Sequence, residues 1–76
     1  MPSIYSINRK DCTLEDFLYV SAVDDEPNLF VAFVLFKGKM TKPIVSKVSF
    51  EDAKKLGDAW IAANLQGATT TYRYEM

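Results

Sequence analysis

Apolar positions along this chain fall into one helical stripe and several alternating runs. The helical stripe lies between Ser49 and Gly67, S-F-E-D-A-K-K-L-G-D-A-W-I-A-A-N-L-Q-G. At 100° per residue, Phe50, Ala53, Leu56, Gly57, Trp60, Ile61 and Asn64 share one side. Ser49 is a favourable N-cap, and Asp52 three residues on completes an S-x-x-D capping box. Glu51 and Asp52 put negative charge where the helix dipole favours it. Glu51 and Lys55 stand four apart in the stabilising order. Gly67 suits the left-handed turn that ends a helix. The pattern predicts a helix over 50–66, with Trp60 as a core anchor. Gly57 sits on its buried side, where it costs about 1 kcal/mol against Ala, so a close approach of a strand backbone is expected there.

The other runs have strand period. Residues 3–8 are short and β-prone and read as an edge strand, followed by a polar turn at Arg9–Cys12. Residues 13–23, T-L-E-D-F-L-Y-V-S-A-V, fit two readings. Thr13 and Asp16 make a second capping box ahead of a helical stripe, yet Phe17 to Val23 is aromatic, β-branched and short. The strand reading is preferred; the helical one would give a βαββαβ ferredoxin-like order. Residues 24–28, D-D-E-P-N, form a turn. Residues 29–36, L-F-V-A-F-V-L-F, alternate Leu29, Val31, Phe33 and Leu35 against Phe30, Ala32, Val34 and Phe36. Both faces are apolar, whereas a sheet with one wet side should alternate with polar residues. Residues 37–43 form a basic loop, 44–48 a half-buried strand, and 68–76 a closing strand. The expected fold is therefore α+β, an antiparallel sheet of four or five strands with one C-terminal-half helix on one face, in a single domain.

One helix cannot cover both faces of the 29–36 strand. Three large apolar side chains left in water would forfeit roughly 5–9 kcal/mol, comparable to the stability of a small domain. The uncovered face is expected to bury itself in a two-fold homodimer, against another protein, or under the N-terminal part of the chain. Phe30, Val34 and Phe36, or their alternates, are the candidate interface residues.

Composition narrows the chemistry. The 76 residues contain no histidine, one cysteine and three glycines, with a net charge of −1. His-based acid–base pairs and triads are excluded, and Cys12 has no imidazole to activate it. One cysteine forms no internal disulfide, and the N-terminus lacks a basic region followed by an apolar core. The eight-residue apolar run is too short to span a bilayer as a helix. A cytoplasmic protein without cofactor, metal or catalytic activity is expected.

Charge is segregated. Residues 1–36 carry net −4, residues 37–49 carry +4, and residues 50–76 carry −1. The acidic turn, Asp24, Asp25 and Glu26, and the basic loop, Lys37, Lys39 and Lys42, are the candidate partner-binding sites. A second reading is a small nucleic-acid binder using Lys37, Lys39, Lys42, Lys47 and Arg73, with Tyr5, Tyr72 or Tyr74 stacking on bases.

The layout of P-I-V-S-K-V-S-F-E-D-A-K-K-L-G-D-A-W-I followed by A-T-T-T-Y-R-Y-E-M resembles that of small phage- and mobile-element-encoded inhibitors, including several anti-CRISPR proteins. The resemblance covers about half of the chain and lies in the order of elements, with no signature motif. It implies a stoichiometric, non-catalytic binder that occludes a host or defence complex, located in the host cytoplasm. It assigns no contact residues.

Overall fold

The computed structural model of the chain describes residues 3–41 and 43–73. Its elements are β1 (Ser3–Asn8), β2 (Phe17–Val23), β3 (Glu26–Phe36), β4 (Lys39–Met40), β5 (Val45–Val48), α1 (Phe50–Asn64) and β6 (Thr69–Tyr72). All pairings are antiparallel, in the order β4-β3-β2-β1-β6. β5 continues along the β4 edge of β3, farther down the strand. This is the expected α+β sheet with one helix, cut into six strands because β4 and β5 share one edge.

Residues 17–23 are a strand. The capping box before them still forms, as an isolated turn. Asp16 accepts from the Thr13 N–H at 2.9 Å, Thr13 Oγ1 accepts from the Glu15 N–H at 3.2 Å, and the Asp16 N–H donates to the Thr13 carbonyl at 3.1 Å. No helix follows, because Phe17–Val23 is held between β1 and β3 and gains a ladder on both sides.

The edge expected at residues 3–8 lies elsewhere. β1 is interior, because β6 returns to pair with it, Tyr5 opposite Tyr72 and Asn8 opposite Thr69. Tyr74 and Met76, expected in the last strand, fall outside the described residues. The acidic turn is tighter than expected, since β3 already begins at Glu26 and only Asp24 and Asp25 connect the hairpin. The pairing jumps from Ala22 opposite Phe30 to Val23 opposite Glu26, and Pro27 sits in that irregularity, where no ladder donor is required. The basic loop also contains a hairpin. Lys37 and Gly38 both adopt positive φ, 53° and 80°, as a two-residue type I′ connection requires, and Phe36 pairs with Lys39 across it.

Ser49 caps α1 as expected, its hydroxyl accepting from the Asp52 N–H at 3.2 Å. The helix ends at Asn64, two residues early, and Gly67 turns the chain at φ 82°. Its buried row is Ala53, Gly57, Ile61 and Leu65, with Phe50 and Trp60 packed at its margins. Leu56 and Asn64, placed on the buried side by the 100° rule, are exposed. A single i,i+4 row is narrow enough to rest on a flat sheet. What approaches Gly57 is a side chain and not a strand backbone, for a Cβ there would meet Leu18 Cδ1 at 2.8 Å. Among the described residues the i,i+4 ion pair of the helix is Lys54–Asp58, and Thr70 Oγ1 ties it to β6 by donating to Asp58 at 2.8 Å.

Candidate protein-binding surface

Strand alternation and register divide the sheet into two unlike faces. The face under α1 carries Tyr5 and Ile7 from β1, Leu18 and Val20 from β2, and Ala32 and Val34 from β3. Leu18, Val20, Ala32 and Val34 are 0% exposed. Phe30 and Phe36 close the ends of this core, Phe30 edge-on to Phe50 at 5.4 Å and Phe36 beneath the Arg9 guanidinium.

The outer face carries the alternate set. Ile4, Tyr19 and Phe33 lie opposite one another across β1, β2 and β3, and Phe17, Leu35 and Met40 form the neighbouring row across β2, β3 and β4. Val31 extends the set opposite Ser21. Tyr19 stacks on Phe33 with centroids 4.8 Å apart, and Phe17 lies 6.5 Å from Tyr19. Ile4 is buried, the aromatic and branched side chains are half-buried, and Met40 is 60% exposed. None of the outer set except Ile4 is buried, and none belongs to the core under the helix. Mutual shielding reduces the cost anticipated from sequence. If about a third of each transfer energy is unrealised, five half-buried side chains leave roughly 2.5–5 kcal/mol available to an association.

The outer face is polar toward β6. Arg73 lies there, its Nε donating to Ser6 Oγ at 2.8 Å, its second guanidinium nitrogen donating to the Leu14 carbonyl at 2.9 Å, and its charge 5.7 Å from the Phe17 ring. Asn8 and Thr71 are joined beside it. The Leu14 side chain, 76% exposed, stands at this margin.

Charges collect at the two strand ends. At one end are the Asp24–Asp25 turn, Glu26 and the first helical turn with Glu51 and Asp52, against Lys47. Glu26 Oε2 is shielded from solvent and has no hydrogen-bond partner among the described residues. At the other end Arg9, Lys10, Lys37, Lys39 and Arg73 outnumber Asp11, Glu15 and Asp16. Arg9 grips Asp11 through two nitrogens at 2.6 and 2.7 Å, which lowers the Asp11 carboxyl to about 2. Asp16, buried at 2% exposure, accepts from the Lys37 N–H at 2.8 Å as well as from Thr13, and these backbone donors lower its pKa. That carboxylate bolts the 9–16 loop to the β3–β4 hairpin. The Lys37 ammonium is held by the Asp11 carbonyl and lies over Phe36.

These positions revise the residues expected from sequence. The interface set Phe30, Val34 and Phe36 is on the helix side, so the available face is formed by its alternates Val31, Phe33 and Leu35. Parity alone leaves that choice open, and the seat of Leu18 under Gly57 decides it. Asp24 and Asp25 are exposed at one end, Lys37 and Lys39 at the other, and Lys42 lies outside the described residues. For a nucleic-acid surface, Tyr5 is buried, Arg73 is engaged by Ser6 and Leu14, and Lys47 sits at the opposite end from Lys37 and Lys39. Arg73 as a margin of the apolar face is a role the sequence did not signal. Burial, then the charges of Asp11 and Asp16, push the Cys12 thiol pKa up, away from the thiolate a nucleophile needs. Among the described residues no three His, Cys, Asp or Glu side chains converge as metal ligands, and no helix is long and apolar enough to cross a membrane. No family model, curated protein or solved structure matches the chain.

Proposed function

We propose that this chain is a non-catalytic protein-binding module whose working surface is the outer face of its sheet. One observation carries the reading: Phe17, Tyr19, Val31, Phe33, Leu35 and Met40 form a contiguous apolar face over which the described chain lays no second layer. Contiguous exposed apolar area of this kind marks association sites. Its make-up suits the centre of a protein interface, being rich in aromatics and free of charge, with ions confined to the margin. The surface is also preformed, because three ladders and the Tyr19–Phe33 stack hold it flat, so little ordering entropy opposes binding. Occlusion of a partner, the mode implied by the resemblance to phage-encoded inhibitors, would be exercised through such a face.

The preferred partner is a flat apolar protein surface bordered by charges of both signs. The test follows the side chains themselves. Methyl signals of Val31 and Leu35 are monitored with a soluble paramagnetic probe, in buffer and in a nuclease-treated extract of cells that express the chain. Protection in either medium, lost in Met40→Lys and retained in Lys55→Glu on the exposed helix side, supports the reading. Full probe access in both media overturns it.

A further inference from the structure

We infer that the occupant of the outer face is a second copy of this chain, packed sheet against sheet about a two-fold axis that runs across the strands. This rests on the protein-binding reading and names its partner. Two features of the molecule lead to it, the size of the face and the placement of its charges.

β1, β2 and β3 abreast at about 4.8 Å span about 14 Å and run for about 23 Å at about 3.3 Å per residue, and β4 and β6 add two and four residues at the edges. The flat footprint is then roughly 430 Å² per copy before side-chain relief is added. With Leu14 and the flanking turns it approaches the ~600 Å² per partner at the lower bound of stable interfaces. The apolar rows run across the sheet from Ile4 to Phe33 and from Phe17 to Met40. A face of this kind is self-complementary in chemistry, as a two-fold contact demands. Two sheets packed this way would form a sandwich with α1 on each outside, every large apolar side of β3 finally covered.

The charges choose the axis. β3 is paired from Glu26 to Leu35 against the seven residues of β2, so its acidic and basic ends stand roughly 23 Å apart. A two-fold axis along the strands would lay acidic end on acidic end and basic on basic. An axis across the strands lays the Asp24–Asp25 end of each copy over the Lys37–Lys39 end of the other. Only the second arrangement is attractive at both ends, and like-charge juxtaposition suppresses the first.

Sedimentation equilibrium and dilution of labelled chain test this, from about 1 µM to about 1 mM. The expected result is twice the chain mass, with affinity falling about tenfold or more as salt rises from about 50 to 500 mM. Asp24→Lys with Asp25→Lys, in an exposed turn, weakens the dimer about tenfold at low salt. Met40→Lys, at an exposed site where folding is not at risk, also weakens it; Leu35→Lys is the second variant, scored only if its circular dichroism is unchanged. A monomer throughout the concentration range overturns the inference. So does a dimer indifferent to both Met40→Lys and Leu35→Lys. A dimer that tightens with salt or with the Asp24 and Asp25 reversals refutes the axis. A monomer whose Val31 and Leu35 methyls are nevertheless protected in extract refutes the second copy and leaves the protein-binding reading standing.

Discussion

Gly57→Ala tests the contact that decides which face of the sheet is covered. Alanine gains about 0.8–1 kcal/mol over glycine in a helix interior. In this fold the added methyl meets Leu18 Cδ1 at 2.8 Å and Cδ2 at 3.1 Å. Leu18 is 0% exposed, so it cannot swing into solvent. Overfilling such a site costs about 1–3 kcal/mol. The clash therefore outweighs the propensity, and Gly57→Ala should destabilise by about 1 kcal/mol, a fall of roughly 4–8 °C in Tm. Leu18→Val removes both clashing carbons and should cost about 0.5–1.5 kcal/mol alone. In that background the alanine methyl meets no δ-carbon, and Gly57→Ala should stabilise by about 1 kcal/mol. The same substitution thus changes sign, with a coupling energy of about 2 kcal/mol. Urea unfolding followed by circular dichroism closes the cycle, at one protein concentration because association would add to stability. Additive effects, or stabilisation by Gly57→Ala in the original chain, would show that α1 is not seated on Leu18.

Three further outcomes follow from the same geometry. Val34→Asp places a charge under the helix and should unfold the chain, whereas Phe33→Asp, one residue away on the outer face, should keep its circular dichroism and lose association; light scattering with dichroism separates the two, and unfolding by both would refute the division of faces. Asp16→Ala leaves the Thr13 and Lys37 N–H groups without their acceptor and should cost about 2–4 kcal/mol in urea unfolding. Because the Asp16 carboxyl titrates below its ordinary value in the folded chain, its contribution is full above about pH 4 and is lost as pH falls through the folded value, so Asp16→Ala should flatten the acid limb of the stability profile. Asp11 should titrate at about 2 by carbon-detected NMR, and Arg9→Ala should return it toward 3.8; an unmoved value would mean that the Arg9 fork is not formed in solution.

Local chemistry made much of this protein legible in the amino-acid order. Ser49, the apolar repeat and Gly67 announced the helix, because capping and amphipathicity act over a few residues. The runs at 17–23 and 29–36 announced strands for the same reason, and two apolar sides on one strand announced a surface in need of cover. The Thr13–Asp16 box was equally visible, but local bonds could not say whether a helix or a single turn would follow. That choice belongs to β1 and β3, which offer residues 17–23 two ladders. Period two assigns side chains to opposite sides without naming which side is inward. The helix names it by resting Gly57 on Leu18, and so turns Val31, Phe33 and Leu35 outward in place of Phe30, Val34 and Phe36. Likewise the acidic and basic stretches are plain as composition, yet only the antiparallel path of β3 sets them at opposite ends of one face, because distance along the chain becomes distance in space only once the strands are paired.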